Sequence, residues 1–190
     1  MRYMRSTLMV AVVALVATPA LAAAIKSGLQ PGKFLNPFDV VKCGPSSDDG
    51  VKLGSTLCYR CKYGGRPMVM VFAHNADEKL AALVKKLDEA VAKHKDHELA
   101  AFVNLLGEGR DSLEETAKGF GSKNSVKHVP IVVPVENENG PGDYGLNPDA
   151  DVTIIMASGG KVLANHALEK GKLDDEAVKA VLADLPKLLK

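Results

Sequence analysis

A run of six apolar residues, Met68–Ala73, constrains the fold of this chain more than any other feature. No polar residue interrupts it, so a strand formed by this run is apolar on both of its faces. Strands of this kind lie inside parallel or mixed sheets whose two faces are both covered. The run therefore predicts an α/β protein with this strand at the centre of its sheet.

The residues after this strand predict a βαβ unit. Asn75 or Asp77 can cap a helix, and residues 99–106 form a second apolar run of strand length. A strand, a helix and a second strand predict a parallel pair with a right-handed crossover. The apolar positions of the helix recur at spacings of three and four and form one face: Leu80, Leu83, Val84, Leu87 and Val91.

The C-terminal third predicts a hairpin followed by a helix. Ser158, Gly159 and Gly160 separate residues 152–157 from residues 161–168, which is typical of a tight turn between two strands. A final helix begins near Asp174, with apolar residues at helical spacing. These elements complete a βαβ and ββα order.

Two weaker segments lie between these units. Asp111 and Glu114 resemble a capping box, and we expect a short helix that Gly119 and Gly121 end. Residues 129–134 are extended but contain two prolines, which predicts an edge strand.

An entry hairpin is predicted before the apolar run. Residues 38–41 form a short strand, residues 46–50 a turn, and residues 51–53 the returning strand, with Cys43 near the end of the first strand. Residues 23–36 are small and polar and are interpreted as a flexible leader. The folded domain is therefore expected over residues 37–190.

The first 22 residues have the pattern of an export signal. Arg2 and Arg5 precede an apolar stretch over residues 8–17, and residues 20–22 form an A-x-A cleavage site. The stretch is shorter than the roughly 20 residues of a membrane span. We therefore expect a periplasmic or secreted protein that has no membrane association after cleavage.

The charge of the mature chain favours no polyanionic partner. Loss of the two arginines takes the formal net charge from +1 to −1. A nearly neutral protein has no global field with which to hold nucleic acid or an anionic membrane, so we expect neither as a partner.

The three cysteines, Cys43, Cys58 and Cys61, carry the most promising chemistry. Cys58 and Cys61 have the CxxC spacing of redox pairs, and Arg60 and Lys62 nearby would favour a thiolate. In an exported protein the same cysteines are also compatible with a structural disulfide, within the pair or with Cys43. Catalysis by Cys58 and Cys61, with Cys43 as a third exchange partner, is therefore one of several interpretations.

A metal site is the third interpretation. Two thiolates and an imidazole suit copper or zinc, and His74, at the carboxyl end of the central strand, is the candidate third ligand. A histidine that only finishes a strand explains the same pattern. The sequence contains no phosphate-binding loop, GxSxG elbow or HExxH motif, so no cofactor is expected.

Several short motifs occur in the order found in one known superfamily. These segments are LQPG at 29–32, PFDV at 37–40, DGV at 49–51, YGL at 144–146 and GGKV at 159–162. Their order resembles that of thioredoxin-like proteins of the redoxin and cytochrome-maturation type, which implies a central mixed sheet flanked by helices with an N-terminal entry hairpin.

The chain departs from that superfamily at the expected active site. Such proteins carry their reactive cysteine after the first core strand, at the start of the following helix, where this chain has residues 73–77 and no cysteine. They also place a cis-proline before the closing hairpin, where this chain has Asp151. The resemblance implies protein thiols and disulfides as partners. The lost active-site features favour a binding module as an alternative, and the cysteines with His74 favour a copper or zinc carrier.

Overall fold

The computed structural model describes residues 25–45, 49–136 and 138–190. The predicted export signal lies outside the described residues. In chain order the strands and α-helices are β1 Val40–Gly44, β2 Thr56–Leu57, α1 Tyr59–Tyr63, β3 Met68–Ala73, α2 Glu78–Lys93, β4 Ala100–Leu105, α3 Arg110–Lys123, β5 Ile131–Pro134, β6 Ala150–Ser158, β7 Lys161–Glu169 and α4 Asp175–Asp184.

The apolar run forms β3, in the interior of a mixed sheet with strand order β2-β1-β5-β4-β3-β6-β7. Strand β3 pairs in parallel with β4 and antiparallel with β6. Every residue of β3 is buried. The predicted fold class, a central mixed sheet flanked by helices, is confirmed.

The two faces of the sheet are covered differently. One face, here called the helical face, packs against α2, α3 and α4. The other, here called the α1 face, packs against α1, the segment before β1 and the loop containing Tyr144. Side chains alternate between these faces along β3, so Val69 and Val71 lie on the helical face and Met68 and Met70 on the α1 face.

The predicted βαβ unit and closing hairpin are also confirmed. Asp77 is the N-cap of α2, and its carboxylate accepts a hydrogen bond from the Leu80 N–H at 2.9 Å. Strands β6 and β7 are joined through Gly159 and Gly160, which have φ of 61° and 75°. Both central residues of a type I′ hairpin turn need positive φ, which glycine adopts without strain.

Two predictions for the middle of the chain are wrong. Strand β5 is not an edge strand, because it lies between β1 and β4. Its prolines interrupt little pairing, since Pro130 precedes the strand and Pro134 is its last residue. Helix α3 continues through Gly119 and Gly121, and Gly121 packs close to Gly44 of β1. The N-cap of α3 is Gly109, which has no side chain to accept a hydrogen bond, so the predicted capping box does not form.

The entry hairpin forms with a different second strand. Strand β1 pairs antiparallel with β2, Val40 opposite Leu57, so the returning strand is residues 56–57 and not residues 51–53. Residues 51–53 instead belong to the connection, where Val51 is held by Asp49. Local turn residues predicted the reversal of the chain but not the register of the return.

The segment before β1 is packed and not a flexible leader over its described part. The Ser27 hydroxyl hydrogen bonds that of Thr153 in β6 at 2.6 Å, and the Leu35 N–H donates to the Gly160 carbonyl at 2.9 Å. Leu35 belongs to the apolar core of the α1 face. Composition does not predict this packing, because a few buried contacts hold in place a segment whose residues are mostly small or polar.

Truncation of a leucine between α2 and the sheet should strongly destabilise the fold. Leu83 is fully buried on the helical face, so Leu83→Ala should lower the free energy of unfolding by about 2–5 kcal/mol. Urea denaturation followed by circular dichroism measures this change. Leu53→Ala is the matched control, because Leu53 is 51% exposed and should change stability by less than about 0.5 kcal/mol. Equal effects of the two changes would contradict this packing.

Candidate redox site

The CxxC pair forms a disulfide at the start of α1. The Sγ atoms of Cys58 and Cys61 are bonded, with their Cα atoms 5.2 Å apart. Cys58 is the N-cap residue, and its sulfur accepts a hydrogen bond from the Cys61 N–H at 3.0 Å. Cys58 is half-buried and Cys61 is exposed. The two sulfurs therefore differ both in access and in hydrogen bonding.

Helix α1 is anchored by its tyrosines. Tyr59, between the two cysteines, is fully buried and stacks on Phe102 of β4 with ring centroids 5.6 Å apart. Tyr63, one turn later, also packs against Phe102 at 6.1 Å. The short helix is therefore held to the α1 face of the sheet by aromatic packing.

A buried ion pair fixes the polar end of Tyr59. The Tyr59 hydroxyl donates to Asp49, and the Lys42 ammonium donates to Asp49 at 2.5 Å and to the Val51 carbonyl at 2.8 Å. The side chain of Lys42 is 1% exposed and that of Asp49 is 12% exposed. The pair ties β1, the loop after it and α1 together.

The ion pair also sets the ionisation of its members. Burial opposes ionisation of Asp49, but hydrogen bonds from Lys42, Tyr59 and the Val51 N–H outweigh it, so the Asp49 pKa lies below its ordinary value. Burial, and then the hydrogen bond to Asp49, raise the pKa of Tyr59. Asp49 is therefore the anion of this network and Tyr59 remains a neutral donor.

The two cations predicted to assist the pair lie on different sides of α1. Arg60 extends toward the β6–β7 turn, where its guanidinium would lie 3.2 Å from a Cβ at Gly160. Lys62 is exposed and follows Cys61 directly. Lys62 is therefore the cation on the solvent side of the helix.

Cys43 is separated from the pair by the sheet. Its side chain is buried in the core of the helical face, whereas α1 packs on the opposite face. Burial, together with Glu114, raises the pKa of the Cys43 thiol to about 11. The structure therefore does not bring Cys43 to the pair, and burial disfavours its thiolate.

His74 also lies apart from the pair. It follows β3 at the carboxyl end of the strand, whereas the two sulfurs lie on α1. Burial lowers the pKa of His74, although Asp151 opposes the shift. Within the described parts of the chain, no cluster of three or more histidine, cysteine, aspartate or glutamate residues is arranged to hold a metal ion.

The corner where the superfamily carries its cysteine is filled by polar contacts. The His74 N–H donates to the Asp151 carbonyl at 3.0 Å, and the Asn75 amide donates to the Asp151 carboxylate. Across the described ranges every peptide bond is trans, including that of residue 151. The corner thus ties the end of β3 to the beginning of β6.

Sequence reasoning missed the network under α1. The sequence predicts a turn at Asp49 but does not predict that Lys42 and Tyr59 contact its carboxylate. The DGV motif at 49–51 signals a turn, but only the fold brings the Asp49 carboxylate beneath a helix that begins ten residues later.

None of the helices in the described ranges has the length and apolarity that crossing a bilayer requires.

The comparisons with known sequences give no relative. No protein-family model matches the chain, and no curated protein matches it at a significant level. Solved structures supply the only likeness.

Three similar structures illustrate that likeness. A thiol-disulfide oxidoreductase from Bacteroides fragilis is 18% identical with a TM-score of 0.53, covering 80% of this chain and 99% of its own. A thioredoxin-like protein from Porphyromonas gingivalis is 17% identical with a TM-score of 0.57, covering 82% and 91%. AhpC from Mycobacterium tuberculosis is 12% identical with a TM-score of 0.61, covering 85% and 99%.

At these identities the likeness establishes the fold. The chain has a thioredoxin-like fold, as its motif order predicted. Its cysteine pair lies before the central strand, on α1.

Removal of the Asp49 charge should destabilise the protein at neutral pH. Asp49→Asn leaves the buried Lys42 ammonium without its counter-ion, so we expect a loss of about 3 kcal/mol in the free energy of unfolding. Because the folded pKa of Asp49 is depressed, its contribution is present above its unfolded pKa and disappears as pH falls through the folded pKa.

The difference between wild type and Asp49→Asn should therefore narrow below about pH 4, near the ordinary aspartate pKa. Urea denaturation at neutral and acidic pH measures it. Asp39→Asn is the matched control, because Asp39 is exposed and should change stability by less than about 0.5 kcal/mol. A pH-independent difference would contradict an ionic role for Asp49.

Proposed function

We propose that this protein exchanges disulfides with protein thiols through Cys58 and Cys61. The observation that carries the proposal is a disulfide with an exposed member, Cys61, on a helix that buried tyrosines hold in place. The Bacteroides fragilis structure bears the name of an oxidoreductase, which supports the same class of activity for this fold.

The anchoring of α1 favours a chemical role over a structural one. Tyr59 and Tyr63 pack on the sheet independently of the sulfurs, so reduction of the disulfide need not release the helix. The bond joins residues only three apart in sequence. Cross-links that close short loops remove the least entropy from the unfolded chain, and so they stabilise a fold least.

The two sulfurs are suited to different steps. Cys61 is exposed, so its sulfur can meet a substrate sulfur. Cys58 accepts the Cys61 N–H hydrogen bond, which stabilises its thiolate and makes it a good leaving group. We therefore assign Cys61 as the attacking cysteine and Cys58 as the resolving one.

The reaction is a balanced two-electron exchange. The Cys61 thiolate attacks a substrate disulfide, forming a mixed disulfide and releasing one substrate thiolate, which takes up a proton. The Cys58 thiolate then attacks the Cys61 sulfur and releases the second substrate thiolate. The substrate gains two electrons and the pair loses two, and the reverse sequence oxidises a substrate dithiol.

Insulin reduction driven by dithiothreitol tests the proposal. Wild type should accelerate the reaction, and the Cys58→Ser, Cys61→Ser double variant should not exceed the uncatalysed rate. The assignment of the two sulfurs has its own readout, because Cys58→Ser should accumulate a mixed disulfide at Cys61 that gel electrophoresis detects without reductant.

Cys43→Ser is the control, since Cys43 lies on the other face of the sheet. It should retain the wild-type rate. Equal rates for wild type and the double variant would reject the exchange function, and trapping by Cys61→Ser alone would reverse the assignment of the two sulfurs.

A binding module with a structural disulfide is the second candidate. The hydrogen-bonded corner at Asp151, in place of a reactive cysteine, favours it. A reduction potential below about −300 mV is typical of structural disulfides, whereas a potential near −200 mV is typical of exchange proteins. Titration of the pair against glutathione therefore separates the two candidates.

Export supplies the compartment for this chemistry. The basic residues Arg2 and Arg5, the apolar stretch at 8–17 and the A-x-A site at 20–22 support cleavage after Ala22 and a periplasmic or secreted location. The protein recovered from a secreting bacterial host should have a mass that corresponds to residues 23–190. Recovery of the full-length chain from the cytosol alone would contradict export.

A further inference from the structure

An open groove lined by cationic side chains lies next to α1. It has a volume of about 660 Å³ between α1, the 3₁₀ turn after α2 and the start of β4. The side chains of Lys62, Arg66 and Lys95 line it, and Tyr63 and Leu99 lie at its base. A space of this size accommodates several residues of an extended peptide.

The electrostatic balance of the groove is positive. Its two acidic residues are already engaged, since Asp49 is neutralised by the buried Lys42 and Glu98 lies 3.9 Å from Arg66. Lys62 and Lys95 form no ion pair with any residue that the structure describes. The two lysine charges are therefore available to an anionic ligand, although the formal net charge of residues 23–190 is −1.

Arg66 covers the base of the groove. Its guanidinium lies over the ring of Tyr63, 5.5 Å from the ring centroid, and its Nε donates to the Glu98 carbonyl at 3.0 Å. Tyr63 and Leu99 are buried beneath it, so a ligand in the groove meets little of their surface.

Lys62 connects the groove to the disulfide, although neither cysteine lines the groove. Lys62 follows Cys61 and lies one helical turn after Cys58, whose carbonyl accepts the Lys62 N–H at 2.9 Å. Residues at this spacing share one side of a helix. A polypeptide bound to Lys62 therefore lies within one helical turn of the sulfurs.

We propose that the groove selects acidic polypeptide segments that carry the cysteines to be exchanged. This inference rests on the proposed function and names its substrate class. Acidic side chains of the substrate pair with Lys62 and Lys95. The exchange remains the two-electron reaction above, with reduced protein supplying both electrons to the substrate disulfide.

Two cyclic disulfide peptides of equal length, one with four glutamates and the other with four lysines beside the cysteines, test this selection. Reduced protein should open the acidic peptide about tenfold faster at low ionic strength, because attraction raises the rate of encounter. High salt should remove the difference. Acid quenching and chromatography give the rate constants.

Lys95→Glu should abolish the preference for the acidic peptide. Each peptide rate is divided by the same variant's rate with hydroxyethyl disulfide, a small neutral probe, so that a change in thiol reactivity is separated from a change in recognition. Lys95 lies in the 3₁₀ turn after α2 and not on the helix that carries the sulfurs, so this variant separates recognition from thiol chemistry. Lys123→Glu makes the same charge change on the exposed surface of α3, across the sheet, and should behave as wild type.

Equal rates for the two peptides with wild type, or a preference that survives Lys95→Glu, would overturn the inference and leave the exchange function intact. Failure to reduce even hydroxyethyl disulfide would overturn the exchange function, and the inference with it. The two failures are therefore distinguishable in one set of measurements.

Discussion

The complete burial of β3 is the constraint on which the rest of the structure depends. Neither face of this strand can be left to water, because each of its residues is apolar or packed in the sheet. Three helices cover one face. In the described residues the other face is covered by the five-residue helix α1, the extended segment before β1 and the loop containing Tyr144. Large aromatic side chains, Tyr59, Tyr63 and Tyr144, therefore fill much of the core on this face.

This difference between the two faces of the sheet explains why the cysteine pair lies on α1. Tyr59, between the sulfurs, and Tyr63, after them, are core residues of the α1 face, so the disulfide is presented on a helix that the fold needs for packing. Its support, the Tyr59 hydroxyl on Asp49 and Lys42, is a buried ionic contact that is strong only while all partners are present. Packing and chemistry thus share one short element.

The parts of the fold that were predictable are those decided by local pattern. The apolar run of β3, the three-and-four spacing of α2 and the paired glycines of the β6–β7 turn act over a few residues, and each formed as expected. The errors arose where long-range contacts decide. Strand β5 gains its interior place from β1, and Gly121 is tolerated in α3 because it packs against Gly44.

The candidate site divides in the same way. The CxxC spacing and its neighbouring cations are visible in the sequence, because they are defined by adjacent residues. The exclusion of Cys43 and His74 required the structure, since the sheet separates Cys43 from α1, and within the described residues His74 forms no metal-binding group with the cysteines.

By itself the sequence determined a thioredoxin-like order of elements around one buried strand, because hydrophobic periodicity acts locally. Only the tertiary structure decided which sulfurs, acids and lysines meet, because contacts between residues distant in sequence depend on how the sheet is ordered and which face each side chain takes.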